Sequence, residues 1–244
     1  MSNYYSSPEI TNVTATVSGG TYSYGVSNSF SSPEIKNVTA IASGGSIDNY
    51  GVRNFSSSPE MVDVSSNGII IAGNQLFVPA SGSDTENGTL LLAVNNVIAG
   101  LGAPSATKRY TIRLDAGSYD LGNNGLEMLA YVDIEGSGEN TTTITSTHSS
   151  GSSDATSATV SGADNAELRF LEIKNQGGST YSLAIYNVTA SPDITNVTAI
   201  ASGGTVNHSV YNNYSSPKMT NVTSFAFGGT YSYGVSNYIL SGLK

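Results

Sequence analysis

The sequence predicts an all-β chain: a right-handed parallel β-helix with about 25 residues per coil and one amphipathic capping helix. Three observations predict it. Pro8 and Pro33 stand 25 residues apart, as do Pro192 and Pro217, and the Gly-Gly pairs at 19–20, 44–45, 203–204 and 228–229 keep the same interval. Each copy contains Val-Thr-Ala-x-Ala/Val, an alternation of apolar and hydroxylated residues with the period of a strand buried on one face. Residues 83–101, SDTENGTLLLAVNNVIAGL, carry the contrasting helical spacing.

Each coil reads as three short extended pieces. The first surrounds Ile10, Ile35, Ile194 or Met219; the second is the Val-Thr-Ala stretch; the third is Tyr-Gly-Val-Ser-Asn, as in Tyr24 to Asn28. Asn, Gly-Gly and Ser-Ser-Pro separate the pieces, and these are the residues that tolerate positive φ or preset it. Stacking the coils at about 4.8 Å places each residue over its counterpart. Asn12, Asn37, Asn196 and Asn221 then form one set of asparagine ladders, and Asn28, Asn54, Asn187, Asn212 and Asn237 a second. Ladder asparagines followed by outward threonines account for part of the ten Asn-x-Ser/Thr sequons, and glycosylation of some is the alternative. Segment 166–187 is a diverged copy.

The expected organisation is repeat coils over 1–60, a linker over 61–82, a capping helix and connection over 83–109, and the β-helix body over 110–244. Leu90, Val94, Val97, Ile98 and Leu101 share one helical face, and Ser83 and Glu86 have capping-box spacing. A helix with one apolar face suits the end of a solenoid, where backbone and core are otherwise open.

Composition excludes several classes. Only 11% of residues are charged, against about 25% in ordinary globular domains, and the net charge is −9. Nucleic acid needs clustered Lys and Arg, so none is expected as a partner. The absence of cysteine removes disulfides and thiolate metal sites. No apolar run reaches the roughly 18 residues of a membrane span, so no membrane insertion is expected. MSNYYSSPEI has neither the basic nor the apolar region of a signal peptide. The expected location is nevertheless extracellular or on the cell surface.

Three stretches carry a family resemblance. TIRLDAGSYDL (111–121), YVDIEGSGENTTTITS (131–146) and GADNAELRFLEIKN (162–175) resemble the first coils of pectin-lyase-like β-helix proteins, above all the pectin methylesterase branch. That family opens with a capping helix, a strand into a Pro-Gly-x-Tyr-type turn, and a G-x-G-x-x-x-T-x-I stretch; Ala116 stands where it usually has proline. The resemblance spans roughly residues 83–244. It implies the β-helix fold, and esterase or lyase action on a polysaccharide is the activity it would bring. The family's catalytic stretches resembling QDTL and DFIFG are missing here. Asp133 and Glu135 face one way on a strand, with Asp115, Asp120 and Arg113 nearby. They are expected to be solvated turn and strand-edge groups rather than a calcium or catalytic cluster.

No other constellation points to chemistry. His208 falls on the ladder position of Tyr24, Tyr50 and Tyr233 and is expected to stack; His148 lies in a Ser-rich loop without an indicated partner. No catalytic residue, cofactor or metal site is therefore predicted. The two ends of the chain match: GGTYSYGVSNYILSGLK (228–244) parallels GGTYSYGVSNSFSSPEI (19–35), as in a circularly permuted β-helix. Residues 1–60 are expected to stack on a C-terminal coil, of the same chain or of a neighbouring subunit; a fragment of a longer repeat protein is a third arrangement. Tyr4, Tyr5, Ile10, Tyr238, Ile239, Leu240 and Leu243 would meet at that joint. Head-to-tail contacts propagate unless the geometry closes them. The expected function is thus a non-enzymatic structural solenoid that polymerises with itself. The alternative is a carbohydrate-binding or carbohydrate-active protein using Tyr22, Tyr24, Tyr181, Tyr231 and Tyr233 as stacking platforms. An ice-binding face is disfavoured, because the row Thr16, Ile41, Ile200 and Phe225 breaks the threonine array beside Thr14, Thr39, Thr198 and Thr223.

Overall fold

A computed structural model describes residues 1–43, 48–57, 59–66, 69–80, 82–83 and 89–238. The chain is all-β, with stacked parallel strands forming a β-solenoid and one short helical segment. It divides into two compact units, Met1–Pro79 and Ala80–Lys244.

In the first unit, β1 (Ser2–Tyr4), β3 (Tyr22–Ser29), β5 (Asp48–Phe55) and β7 (Ile70–Ala72) stack in parallel on one side. On the other side β2 (Glu9–Ser18), β4 (Glu34–Ser43) and β6 (Glu60–Ser66) form a parallel three-stranded sheet. Like lies over like: Ile10, Ile35 and Met61 are in register, as are Val13, Val38 and Val64. The alternation sends these side chains inward, where Ile10, Val26, Ile35, Val38, Ala40 and Val52 form a buried cluster.

The first two extended pieces of each coil are one strand with a bend rather than two strands. The bend lies at Asn12 (φ 56°) and Asn37 (φ 49°), and in the second unit at Asn196 (φ 51°) and Asn221 (φ 51°). The left-handed region costs most L-residues about 1–2 kcal/mol, and Asn enters it with least penalty. A second bend follows Asn3, Asn28, Asn54, Asn187 and Asn212 by two residues, at Tyr5, Phe30, Ser56, Thr189 and Tyr214.

The stretch expected as a linker, 61–82, needs correction. Residues through Ser66 belong to β6, a third rung paired with β4. Beyond it, β7 turns back antiparallel onto β8 (Gln75–Val78) around Gly73. Leu76 and Val78 are fully buried there, so this hairpin contributes core rather than an extended tether.

The second unit begins with β9 (Gly82–Ser83). Its helical segment comprises α1 (Thr89–Leu92), a π-type turn over Ala93–Val97, and α2 (Ile98–Leu101). Leu90, Val94, Val97 and Ile98 are buried and Leu101 half-buried, so the apolar stripe is the face turned inward. Gly102 ends the segment at φ 108°, where Tyr110 Oη donates to its carbonyl at 2.9 Å and Lys108 Nζ to that of Leu101 at 2.6 Å. Glu86, half of the expected capping box, lies outside the described residues.

The body follows as β10 (Tyr110–Leu114), β11 (Gly117–Asp120), β12 (Leu126–Glu127), β13 (Val132–Glu135), β14 (Thr142–Ser146) and β15 (Ala158–Ser161). Then come β16 (Glu167–Asn175), β17 (Tyr181–Val188), β18 (Asp193–Ala201), β19 (Val206–Asn213), β20 (Lys218–Ala226) and β21 (Tyr231–Tyr238). The long strand β16 pairs with both β13 and β14, because a bend at Phe170 (φ 56°) fuses what are two strands one coil earlier. From there β16, β18 and β20 stack on one side, and β12, β15, β17, β19 and β21 on the other. Ile134, Leu168 and Ile194 make one buried column, and Ile144, Ile173 and Ala199 another.

Candidate functional site: the outermost coils

The asparagines sort into two ladders of opposite direction. On the inner ladder each amide donates to the next copy along the chain: Asn3 Nδ2 to Asn28 Oδ1 (2.8 Å) and Asn28 to Asn54 (2.7 Å), then Asn187 to Asn212 (2.8 Å) and Asn212 to Asn237 (2.8 Å). Asn28, Asn54, Asn187 and Asn212 are buried, so the bonds run where water cannot substitute. On the outer ladder the later copy donates to the earlier one: Asn37 Nδ2 to Asn12 Oδ1 and Asn221 to Asn196, both 3.1 Å. Sequence reading missed Asn3, whose signal was the Ser-Asn-Tyr it shares with residues 236–238.

Among the described residues β20 pairs only with β18, β21 only with β19, β2 only with β4 and β1 only with β3. Core positions that are closed further in are open here. Val210 is fully buried, whereas Val235, its counterpart on β21, is 43% exposed; Ile194 is buried and Met219 is 37% exposed. Tyr231 and Tyr233 are open at the same edge, and Tyr4, Tyr5 and Tyr22 at the other. Of the residues expected at a joint, Tyr4, Tyr5 and Tyr238 are exposed and Ile10 is buried; Ile239, Leu240 and Leu243 lie outside the described residues.

Aromatic residues stack along the same columns. Tyr24 and Tyr50 lie 5.4 Å apart, His208 and Tyr233 4.9 Å, and Tyr186 and Tyr211 5.8 Å. His208 Nδ1 also lies 2.8 Å from Ser236 Oγ. Burial lowers the His208 pKa below its ordinary value, because desolvation disfavours the imidazolium. The folded pKa is then below the unfolded one. Its stability contribution is whole above the unfolded pKa of about 6.5 and is lost as pH falls below it. A Tm that declines from pH 7 to 5 is expected, with a shallower decline in His208→Tyr, measured by thermal melts. Equal slopes in the two proteins would remove His208 as the cause.

Two of the carboxylates singled out in the sequence, Asp133 and Glu135, are held by arginines. Glu135 Oε1 accepts from Arg113 (2.9 Å) and its Oε2 from Arg169 (2.6 Å), which also pairs with Glu167. Burial works against the Arg169 charge, and Glu135 and Glu167 more than offset it, raising its pKa. Asp133 Oδ1 accepts from Arg109 (2.8 Å) and from the Glu167 backbone N–H (2.9 Å). Carboxylates engaged in this way are poor ligands for calcium, which needs several free oxygens. Asp115 and Asp120 are exposed, and Asp120 Oδ1 accepts from Gly122 N in a turn. Among the described residues no three His, Asp or Glu side chains come together as a metal site.

His148 sits with Gly125, Glu127, Ala155, Thr156 and Ser161 around a recess of about 100 Å³, its Nδ1 3.1 Å from the Ala158 carbonyl. An apolar cleft of about 420 Å³ lies between the helix residues Val94 and Ile98 and Pro104 and Leu129, with no sequence signal that marked it. In the recess the partner of His148 Nδ1 is a backbone carbonyl rather than the Thr156 or Ser161 hydroxyl. Comparison with protein-family models, with curated proteins and with solved structures finds no match to this chain.

Proposed function

We propose that the chain is a non-enzymatic structural solenoid, extracellular or surface-borne, that assembles head-to-tail through its outermost coils. One observation carries this reading: among the described residues β2, β20 and β21 have an unpaired edge and the core positions Met219 and Val235 are open, yet these strands repeat the residues of closed interior coils. Unpaired edges with apolar columns beneath them are surfaces that natural solenoids cap or join. The joint is heterologous, so it propagates along the axis. Negative-stain electron microscopy of the full chain at rising concentration is the test. Unbranched filaments one coil wide are expected; single particles at every concentration would overturn the proposal.

A second reading follows the pectin-lyase-like resemblance and makes the chain a polysaccharide-binding protein. It is favoured by the exposed ring cluster of Tyr4, Tyr5 and Phe30, where Tyr5 and Phe30 stack at 5.0 Å. Retention on a polyuronate matrix without assembly would favour it, and cleavage of the polymer would make the chain an enzyme.

A further inference from the structure

Resting on the head-to-tail reading, we propose that β1 is a placeholder: it occupies the position that β21 of a second copy takes when the joint forms. The argument starts from what β1 covers. It pairs with Ser27–Ser29 alone, the last three residues of the eight-residue β3. Beyond that three-residue ladder it is held by Ser27 N to Met1 O (2.9 Å), Tyr5 N to Ser29 O (3.2 Å), the Met1 amino group to Gly25 O (2.8 Å) and Asn3 Nδ2 to Asn28 Oδ1 (2.8 Å), and the serines that follow it by Ser6 N to Ser31 Oγ (3.1 Å) and Ser32 N to Ser7 Oγ (2.9 Å). Tyr4 and Tyr5 are both about two-thirds exposed, and their ring contacts go to Phe30, itself exposed, so the segment is packed at the surface and not in the core.

β21 fits the same edge better. It reads YSYGVSNY against YSYGVSNS for β3, and its last three residues, Ser-Asn-Tyr, are those of β1. Placed on β3 as it is placed on β19, it pairs over the whole strand, Tyr231 with Tyr22 through Tyr238 with Ser29. The exposed Val235 would then lie over Val26, and Tyr233 over Tyr24, continuing the interior columns.

Two further features agree with this register. Asn221 and Asn237 stand the same number of residues apart as Asn12 and Asn28, so β20 falls beneath β2 whenever β21 falls beneath β3. Met219 then meets Ile10, Val222 meets Val13, and Asn221 meets Asn12. The amide directions also match on both ladders. Asn212 donates to Asn237 Oδ1, leaving Asn237 Nδ2 to donate to Asn28 Oδ1 in place of Asn3. Asn37 donates to Asn12 Oδ1 and Asn221 donates to Asn196, leaving Asn12 Nδ2 to donate to Asn221 Oδ1. In this register β1 and β21 compete for one place, so β1 must leave. The exchange extends ladder pairing from three residues to eight, and it makes the joint conditional on release of β1.

Cysteine cross-linking tests this, in a chain that has none of its own. Tyr4 and Ser29 are Cα partners, so Tyr4→Cys with Ser29→Cys locks β1 in place when oxidised. Tyr238→Cys with Ser29→Cys should instead link copies into a covalent series resolved on a non-reducing gel. The expected result is loss of pelletable polymer from the oxidised Tyr4/Ser29 variant and its return on reduction. Equal polymer from the oxidised and reduced forms, with wild type polymerising, overturns the placeholder and leaves head-to-tail assembly standing. No polymer from wild type overturns both.

Discussion

Asn212→Ala is expected to lower stability by about 2–4 kcal/mol, measured from the urea midpoint at constant m. Asn212 is 1% exposed and holds the middle of a three-member ladder: it accepts from Asn187 and donates to Asn237. Alanine removes both bonds. The two orphans are not equivalent. Asn237 is exposed, so water takes over its Oδ1. Asn187 is fully buried, and its Oδ1 is already without a partner, so losing Asn212 strands its Nδ2 as well. A buried polar group left unmade costs about 1–3 kcal/mol, and the vacated volume adds a cavity cost. Asn221→Ala is the contrasting case. Its amide bond is exposed and water replaces it, so the remaining cost is that of alanine at φ 51°, about 1–2 kcal/mol. Asn221→Gly should then be close to wild type. A cost for Asn212→Ala no larger than that for Asn221→Ala would show that the inner ladder is not what water exclusion makes it.

Periodicity made the coils legible, and it did so wherever the repeat kept its punctuation. Ile10 over Ile35 and Val197 over Val222 follow from sequence spacing alone, because stacking turns a period into a register. The rung β6 escaped notice because its punctuation is lost: Asp63 replaces the bend asparagine, and no Gly-Gly pair follows. Phe170 hides the same bend in β16, since nothing about a phenylalanine announces a left-handed φ. The second bend is hidden for a related reason. Tyr5, Phe30 and Tyr214 are aromatic and Ser56 and Thr189 hydroxylated, and none is the Gly or Asn that would mark a left-handed φ in the sequence.

The electrostatics became legible only with the register. Arg113, Glu135 and Arg169 are far apart in sequence, and their pairing needs the knowledge that β10, β13 and β16 are successive neighbours. Once they are placed, two acids that could have suggested a cation site become the centre of an arginine cluster. The direction of each asparagine ladder is likewise absent from the sequence, because an amide reads the same whichever way it points. In the proposed joint both ladders would keep these directions.

Val235→Asp is expected to abolish assembly while changing the unfolding free energy of the single chain by less than about 1 kcal/mol. Val235 occupies a core column but lies on the outermost rung, 43% exposed, so a carboxylate there remains hydrated in the isolated chain. In the joint the same side chain would be closed over by Val26 of the next copy. A carboxylate enclosed without a partner costs several kcal/mol, enough to cancel the gain from adding a rung. Val210→Asp places the same charge one rung deeper, at a site with no exposure. There the cost falls on folding itself, about 3 kcal/mol or more, and the chain should unfold or become proteolytically labile before assembly is in question. The pair separates an effect on joining from an effect on folding. Sedimentation reads the first and urea titration the second. If Val235→Asp polymerises like wild type, the outer face of β21 is not part of the joint, and the filament must be built from another surface.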